Sequence, residues 1–267
     1  MIVRWNLTWR RRLYQRADVL VLSVGKSGRT WLRTLLNKCL SLHYDVPFSL
    51  SDLNQSNHRI PSLLYDHELW LHSTIASWWQ RILGGYVVPG RMLAGKKVLL
   101  LCRDPRDVVV SLYFQMTKRS SKKIECNLSD FIRHDKFGIR PIIEVLNIWC
   151  RRLRDHKSCL WLRYEDMKAD PSNELLRILS FLGVEDVRPD SVQQAVAFAD
   201  FKNMKRMEAK GEFGTPALRP ADPSDPDSFK VRRGIVGGYV DYLSDSDVSY
   251  VNRSMASLAA FYGYGDR

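Results

Sequence analysis

Residues 19–36 read VLVLSVGKSGRTWLRTLL: a run of apolar residues, a turn that contains two glycines, and then a pattern with helical spacing. The apolar run at 19–24 predicts a buried β-strand, and the pattern from residue 29 onward predicts an α-helix. A turn between two such elements points several backbone N–H groups and the positive end of the helix dipole at one place. The stretch therefore predicts a βα unit whose turn suits a phosphate or sulfate group; a βα turn without a ligand is the alternative.

This turn differs from the phosphate loop of ATP-binding proteins. Their loop reads GxxxxGKS or GxxxxGKT, with the first glycine five residues before the second. Counting five residues back from Gly25 reaches Leu20, which lies inside the predicted strand. The loop is too short to wrap a β-phosphate, which disfavours a standard ATPase or kinase. Lys26 adds a mobile cation to the turn, and Ser27 and Thr30 add hydroxyl donors.

Short apolar runs, each followed by a polar stretch or a helical pattern, predict strands at 19–24, 62–66, 97–102 and 159–163. Helices are predicted at 29–41, 105–119, 139–157, 172–182, 190–200 and 245–261. Asp104 is placed to cap the second helix, with Pro105 in its first turn. This alternation predicts an α/β fold of three layers: a mostly parallel central sheet with helices on both faces and a ligand site at the carboxyl ends of the strands.

Size and charge limit the possible functions. The chain has 267 residues and is 45% hydrophobic, enough to bury one substantial core, so we expect a single domain over 1–267. A formal charge of +12 implies acidic partners: polyphosphate-like small molecules, nucleic acid or an anionic membrane surface. Five cysteines without a CxxC pair predict reduced thiols and a cytoplasmic protein. No apolar run reaches the ~18 residues that a membrane-spanning helix requires.

Two segments depart from the regular pattern. Residues 211–230, GEFGTPALRPADPSDPDSFK, contain four prolines and few large apolar groups, which predicts a long loop: a solvated connector or a mobile lid over a site. The basic N-terminal segment 1–17 carries Trp5, Trp9 and Leu13 at a spacing of four among several arginines. It predicts either a helix packed onto the domain or an amphipathic helix in peripheral contact with an anionic membrane.

Four motifs occur in one order along the chain: KSGRTW after the first predicted strand, RDPRDVVVSLYF after a later strand, YEDM, and RRGIVGG near the C-terminus. The ordered set, from about residue 18 to 262, resembles the sulfotransferases that use 3′-phosphoadenosine 5′-phosphosulfate (PAPS). The resemblance implies a P-loop-like nucleotide-binding fold and direct in-line transfer of sulfate from PAPS to an acceptor hydroxyl or, less expected, an amine. It also implies adenosine 3′,5′-bisphosphate as the product and no metal ion.

The first motif resembles the loop that binds the 5′-phosphosulfate group in this family. The residues implied are Lys26, Ser27, Gly28, Arg29, Thr30 and Trp31. Backbone amides of this loop would hold the 5′-phosphate, and Lys26 would neutralise charge on the bridging oxygen as the S–O bond breaks. Arg29 stands where the family commonly has threonine, so the resemblance assigns it no definite role. Trp31 would border the adenine.

The later motifs resemble the remaining nucleotide contacts. The 3′-phosphate is implied to bind an arginine and a serine eight residues apart, together with a late basic element: Arg103, Ser111, Arg232, Arg233 and Gly234. The adenine is implied to meet a tyrosine and a stacked phenylalanine, Tyr164 and Phe201. Taken singly these would be ordinary ion-pair or core residues; their order favours the site. Gly238 and Tyr239 replace the acidic residue and tryptophan that the family often has.

Transfer to a hydroxyl also requires a base, and histidine is the natural choice near neutral pH. The family places its histidine at a strand end between the first two motifs, the interval that holds His67 and His72. Because SLLYD is the better strand, we prefer His67 at its tip, and His72 is the alternative. The lysine or threonine that many relatives carry just before the histidine is absent. HELWLH at 67–72 is not HExxH, and its spacing does not place both imidazoles on one helical face, so a zinc site is not expected.

Two other functions were weighed against this one. A kinase with an atypical loop would need Mg²⁺ ligands, and RDPRD offers only Asp104 and Asp107, which are better used in capping and pairing. A nucleic-acid-binding protein without catalysis would fit the charge, but the sequence has no recognition helix or RNA-stacking motif, so no nucleic acid is expected. The acceptor, small molecule or glycan, is expected to contact residues 42–60 and 70–95, whose content suits an aromatic, lipid or sugar face alike.

Overall fold

The sheet is parallel throughout. A computed structural model describes residues 12–74, 76, 78, 87–120, 123–215 and 218–264. Four strands pair within these residues: β1 (Val19–Ser23), β2 (Leu63–Asp66), β3 (Lys97–Cys102) and β4 (Cys159–Arg163). Their order in the sheet is β2-β1-β3-β4, and each neighbouring pair is parallel. The predicted α/β fold is confirmed, and each of its strands lies where an apolar run predicted one.

The strand register brings the carboxyl ends to one edge of the sheet. Leu22 of β1 pairs with Asp66 of β2, and Ser23 pairs with Leu101 of β3. Because β1 lies between β2 and β3, the turn that follows β1 is flanked by the residues that follow those two strands. The edge is thus the place where the segments with the chemical groups converge.

Helices cover both faces of this sheet. In chain order they are α1 (Arg29–His43), α2 (Glu68–Thr74), α3 (Gly90–Leu93), α4 (Pro105–Phe114), α5 (Leu128–Arg133), α6 (Ile139–Leu153), α7 (Tyr164–Ala169), α8 (Pro171–Leu182), α9 (Pro189–Phe198), α10 (Phe201–Lys210) and α11 (Asp245–Met255). Residues 12–16 are also helical. The six predicted helices correspond to α1, α4, α6, α8, α9 and α11. As predicted, Asp104 caps α4 by accepting a hydrogen bond from the Arg106 N–H.

Two hydrophobic cores form, one on each face, because side chains of a strand alternate in direction. Leu20 and Leu22 of β1 pack into a core with α4, α6 and α11, whereas Val19 and Val21 pack into another with α1, α8 and α9. The strands are buried on both sides, which explains why they read as continuous apolar runs rather than alternating ones.

Three predicted helices end at least four residues earlier than their patterns suggested. The helix predicted at 105–119 widens into a π-helical turn at Gln115–Arg119. The helix predicted at 139–157 ends at Leu153, and the one predicted at 245–261 ends at Met255. In the last case Asn147 binds the turn that follows, through the Ser257 carbonyl and the Ala259 N–H. These tertiary bonds replace the helical ones that continuation of α11 would have made.

The described part of 211–230 packs against the body of the protein. It contains turns and a 3₁₀ turn at Pro226–Ser228. Phe213, Leu218 and Phe229 are buried. Arg119 donates hydrogen bonds to the Ser228 carbonyl (2.5 Å) and to Glu208 (2.9 Å), which ties the segment to α10. The N-terminal residues 1–11, on which the membrane prediction rests, lie outside the described residues, as do positions 216 and 217. Within the described ranges, no helix combines the length and hydropathy that a membrane span needs.

A buried carboxylate joins α2 to α6. Glu68 is 0% exposed. It accepts hydrogen bonds from the Val88 N–H (2.7 Å), from Arg152 Nη1 (2.6 Å) and from the Trp149 indole (3.3 Å). Since β2 runs directly into α2, this carboxylate also fixes the strand end that carries His67.

We expect Glu68→Ala to destabilise the protein by about 3–5 kcal/mol, because Arg152 and the Val88 N–H would be left buried without their acceptor. Urea denaturation of the whole chain measures this change. Glu212→Ala is the matched control, since its ion pair with Arg206 is solvent-exposed (side chains 47% and 38% exposed) and should cost no more than about 1 kcal/mol. Equal effects of the two substitutions would show that Glu68 has no special structural role.

Candidate active site

One cavity lies at the carboxyl edge of the sheet. Its volume is about 670 Å³, and its wall takes residues from the turn after β1, the segments after β2, β3 and β4, α10, and residues 230–242. The predicted site residues that line it are Lys26, Gly28, Arg29, Thr30, Trp31, His67, Arg103, Ser111, Tyr164, Phe201, Arg232, Arg233 and Gly234. Segments far apart in the sequence therefore face a single volume.

Ser27 is the predicted residue that does not line the cavity. It is 1% exposed and points into the protein between Lys26 and Gly28. The hydroxyl that the sequence offered as an anion donor is therefore not presented to the cavity. Of the ranges expected to contact an acceptor, Trp70 and Leu71 line the cavity and residues 42–60 do not.

The turn after β1 is strained in the way an anion-binding loop requires. Lys26 has φ 72° and Gly28 has φ 98°, so both occupy the left-handed region. Gly28 is the N-cap of α1 and gives its first turn no side-chain cap, and that turn holds no acidic residue. The free N–H groups and the helix dipole are thus available to an anion in the cavity.

Glycine at 28 and at 234 leaves room for aromatic rings. A Cβ on Gly28 would lie 2.5 Å from Tyr164 Cδ2, and one on Gly234 would lie 2.8 Å from Phe201 Cδ2. Trp31 meets Tyr164 edge to face, with ring centroids 5.4 Å apart, and its indole donates to the Ala199 carbonyl (3.0 Å). Three fixed aromatic side chains, Trp31, Tyr164 and Phe201, therefore stand around one part of the cavity, where a flat ring can stack.

Arg103 connects several of these parts. It follows β3 and donates to the Ile235 carbonyl (3.0 Å) and to the Lys26 carbonyl (3.5 Å), while its guanidinium lies 4.3 Å from the centre of the Tyr164 ring. Its Nε is buried and has no hydrogen-bond partner in the described structure. Ser111, two turns along α4, lines the same cavity, so both groups of the predicted pair can reach one anion.

Asp107 holds the late glycine-rich segment onto α4. Its carboxylate accepts hydrogen bonds from the Gly237 N–H (2.8 Å) and the Tyr239 N–H (3.0 Å), and pairs with Arg103 at 3.4 Å. Arg106 forms its own ion pair with Asp104 at 2.7 Å. Asp104 and Asp107 are thus used in capping and ion pairing, as the sequence predicted. Asp107 also has a longer-range role that the sequence did not indicate.

The two arginines of the late basic element are held by acidic neighbours. Arg232 lies over the Phe114 ring at 3.9 Å, donates to the Tyr242 hydroxyl and pairs with Asp227 at 3.4 Å. Arg233 pairs with Asp241 at 2.6 Å. Both guanidinium groups are therefore oriented at the cavity mouth with further N–H donors to spare.

Lys26 and Lys230, which line the cavity, form no ion pair in the described structure, although the charge of Glu208 acts on both. Lys26 Nζ donates to Gln115 Oε1 (3.3 Å), from the π-helical turn. Burial and the nearby Lys230 lower the pKa of Lys26 to about 7. Burial and the Arg29 guanidinium likewise lower the pKa of Lys230 to about 8. Burial, followed by the neighbouring cations, thus disfavours the charged form of both lysines.

Sequence reasoning missed Lys230 and Gln115 as cavity residues. Lys230 is the last residue of a predicted loop and has no periodic pattern to mark it. Gln115 lies four residues after Ser111 and therefore on the same face of α4, and that spacing is the signal that could have found it.

His67 lies on the cavity wall beside this turn. Its Nδ1 is 2.8 Å from the Ser23 carbonyl. A carbonyl can only accept, so Nδ1 carries the proton and Nε2 has the free lone pair. Burial, followed by the Arg29 charge, lowers the pKa of His67 to about 4, so the ring is neutral at physiological pH. His72 is in α2 and does not line the cavity. In the parts of the chain that the structure describes, no three His, Cys, Asp or Glu side chains are grouped as metal ligands.

Comparison with known proteins agrees with this geometry. The family model of the sulfotransferase domain matches residues 16–260. Cytosolic sulfotransferase 14 of Arabidopsis thaliana is 27% identical, over 86% of this chain and 72% of the relative; cytosolic sulfotransferase 15 of that plant is 26% identical, over 86% and 68%.

Solved structures share the fold. Mouse sulfotransferase SULT7A1, complexed with PAP, covers 91% of this chain and 84% of its own, with a TM-score of 0.62 and 20% identity. Retinol dehydratase, in complex with retinol and PAP, covers 91% and 81%, with a TM-score of 0.62 and 19% identity. With the family model spanning most of its length, this chain belongs to the sulfotransferase domain family.

Proposed function

We propose that this protein transfers a sulfuryl group from PAPS to the hydroxyl of a carbohydrate, glycolipid or small-molecule alcohol, and releases adenosine 3′,5′-bisphosphate. One observation carries the proposal: the uncapped start of α1 with Lys26, and Arg103 with Ser111, face the same cavity of about 670 Å³. One nucleotide with phosphate groups at both ends of its ribose can bridge these two anion sites. Two structural neighbours were solved with PAP, which is adenosine 3′,5′-bisphosphate, and their bound nucleotide supports this proposal.

The nucleotide would be held by residues of complementary charge and shape. The N–H groups of the α1 start, with Thr30, would bind the 5′-phosphosulfate. Arg103 and Ser111 would bind the 3′-phosphate, with Arg232, Arg233 and Gly234 closing over it. The adenine would lie among the fixed rings of Trp31, Tyr164 and Phe201. Binding would give the buried Nε of Arg103 a hydrogen-bond acceptor, which the described residues do not provide.

In the proposed mechanism, bound PAPS supplies an activated sulfuryl group. His67 Nε2 accepts the proton of the acceptor hydroxyl as its oxygen bonds to sulfur, because the Ser23 carbonyl keeps the proton of this ring on Nδ1. As the sulfur–oxygen bond to the 5′-phosphate breaks, its electron pair stays on the phosphate oxygen. Lys26 Nζ stabilises the charge that develops there, and Gln115 orients this amine.

The kinase alternative is not favoured by the acidic residues at the site. Asp104 caps α4 and pairs with Arg106, and Asp107 binds two backbone N–H groups and Arg103. Neither carboxylate is available for Mg²⁺, on which phosphoryl transfer from a nucleotide triphosphate depends.

Four further parts of the proposal concern the location, the lid and the partners of the enzyme. Relatives named cytosolic sulfotransferases support a cytoplasmic protein. The segment 211–230 precedes the basic element and would act as a lid that the cofactor orders. No nucleic acid is required as a partner, and a peripheral membrane contact through residues 1–17 stays a prediction.

Calorimetry with adenosine 3′,5′-bisphosphate, adenosine 5′-phosphate and ATP tests the proposal. We expect the bisphosphate to bind at least about 30-fold more tightly than adenosine 5′-phosphate, because charge-assisted hydrogen bonds contribute roughly 1.5–3 kcal/mol each. Arg103→Ala should remove most of that difference. Arg206→Ala, an exposed arginine outside the cavity, should retain it. Equal affinity for the two nucleotides would overturn the proposed function.

His67→Ala should lower the rate of sulfate transfer by about 10²–10⁴-fold, because the hydroxyl loses its base. Binding of adenosine 3′,5′-bisphosphate should change by no more than a few-fold. Transfer is measured from radiolabelled PAPS to a panel of alcohols, phenols and sugars. His72→Ala is the matched control and should keep the rate. A fast His67→Ala variant together with a slow His72→Ala variant would move the base to His72.

The affinity for adenosine 3′,5′-bisphosphate should fall as the pH rises from 7 to 9. Burial and neighbouring cations lower the pKa of free Lys26 to about 7 and of Lys230 to about 8, and a bound polyanion raises both. Binding of the nucleotide therefore takes up protons between pH 7 and pH 9. The nucleotide reaches its full affinity only below about pH 7, where both lysines of the free protein are protonated. Calorimetry in buffers of different ionisation enthalpy counts the protons. Lys26→Arg, which stays charged, should flatten the slope; a constant wild-type affinity would contradict this account.

A further inference from the structure

We propose that the acceptor carries an anionic group, such as a carboxylate or a sulfate ester, close to the hydroxyl that is modified, and that Lys230 and Arg29 bind this group. The inference rests on the proposed function, since it locates the acceptor beside His67. It adds a substrate class: acidic hydroxyl compounds rather than neutral alcohols.

The sheet order separates the two halves of the cavity. Arg103 follows β3 on one side of the turn after β1, and His67 follows β2 on the other side. The 3′-phosphate site belongs to the β3 side, so the acceptor hydroxyl must approach from the β2 side to reach His67 Nε2. A cation on the β2 side therefore faces the acceptor rather than the 3′-phosphate.

Arg29 is such a cation. It is the first residue of α1 and lines the cavity. Burial and then the charge of Arg33 have the largest effects on the pKa of Arg29. The next largest come from Asp66 and Tyr65, which both lie in β2. Asp66 itself accepts hydrogen bonds from Tyr14 (2.8 Å) and from the His67 N–H (2.6 Å). The Asp66 carboxylate thus holds the end of β2 through these hydrogen bonds. Most of the positive charge of Arg29 is therefore not neutralised by Asp66 and acts in the cavity.

Lys230 lines the same cavity as the catalytic groups of the proposed mechanism. Its charge acts on both Lys26 and His67. The backbone fixes this position, since the N–H groups of Lys230 and Val231 both donate to the buried carboxylate of Glu208 (2.6 and 2.7 Å). In the described structure the Lys230 side chain forms no ion pair, and Glu208, whose charge also acts on it, is paired with Arg119 at 2.9 Å.

The acidic residues of the cavity wall do not neutralise these two cations. Asp107 is bound to Arg103 and to two backbone N–H groups, and Asp200 caps α10 through the Lys202 N–H (2.9 Å). The nucleotide phosphates would be met by the α1 start, Lys26 and the arginines of the β3 side. Two positive charges beside His67 are then left for another anion.

The apolar residues on the β2 side of the cavity indicate which kind of molecule the acceptor is. Trp70 and Leu71 of α2 line the cavity next to the turn, and the Trp70 indole lies against Gly25. Apolar and aromatic surface beside a pair of cations suits a molecule with an apolar body and an acidic group.

The test compares matched acidic and neutral acceptors. Suitable pairs are 4-hydroxyphenylacetate and its methyl ester, 12-hydroxydodecanoate and its methyl ester, and methyl glucuronoside and methyl glucoside. We expect at least one acid to be sulfated with a kcat/KM about tenfold or more above that of its neutral partner, and no pair to favour the neutral member by that margin. If no pair favours the acid, the inference is wrong.

Lys230→Met keeps the length of the side chain and removes its charge, and should reduce the acid-to-neutral ratio of kcat/KM about tenfold. Lys202→Met, an exposed lysine of α10, should keep the wild-type ratio. Thermal melting and titration with adenosine 3′,5′-bisphosphate verify that both variants fold. An equal loss on acid and neutral acceptors would place Lys230 at the transferred sulfuryl group and overturn the inference.

The nucleotide titration separates this inference from the proposed function. If wild-type protein binds adenosine 3′,5′-bisphosphate but shows no preference for acids, only the acceptor inference fails. If it does not bind the nucleotide, the proposed function fails as well.

Discussion

The burial of several cations in one cavity is the constraint on which this site depends. The parallel sheet ends its strands at one edge, and the order β2-β1-β3-β4 places the turn with Lys26 between the segments that carry His67 and Arg103. The fold thereby gathers several cations around one cavity and lowers the pKa of its lysines. Two carboxylates stabilise this arrangement. Glu208 binds Arg119 and the backbone N–H groups of residues 230–231. Asp107 binds Arg103 and the Gly237 N–H.

The local rules of protein structure are broken where this chemistry is proposed. Lys26, which is not glycine, has positive φ; α4 ends in a π-helical turn; and α1 starts without a side-chain cap. Each departure presents a group to the cavity: the amine of Lys26, the amide of Gln115 and the N–H groups of α1. Strain and unsatisfied donors of this kind are typical of functional sites rather than of scaffold.

The fold could be predicted because its signals are local and strong. Strands buried on both faces read as apolar runs, and helices such as α1 and α6 show clear apolar periodicity. The polar helix α10, FKNMKRMEAK, has no such signal, because only Met204 and Met207 of its central residues join the core. Its buried Glu208 is held by an ion pair with Arg119 instead of by apolar contacts. Helix ends were less predictable, since bonds such as those of Asn147 come from the other end of the fold.

The candidate site was predictable only in part. Motif order brought Arg103, Tyr164 and Phe201 together, although they come from three different segments. Ser27 shows the limit of this reasoning, because residue type did not reveal that its side chain points inward. Lys230 shows another limit. It lies in the cavity wall because its backbone N–H donates to Glu208, and no residue spacing along the chain predicts that contact.

The central claim is that one nucleotide spans the turn after β1 and the Arg103–Ser111 pair. A crystal structure of the protein with adenosine 3′,5′-bisphosphate measures this directly. The account predicts the 5′-phosphate at the start of α1 beside Lys26, and the 3′-phosphate within hydrogen-bond distance of Arg103 and Ser111. A nucleotide bound in the opposite orientation, or outside this cavity, would contradict the account.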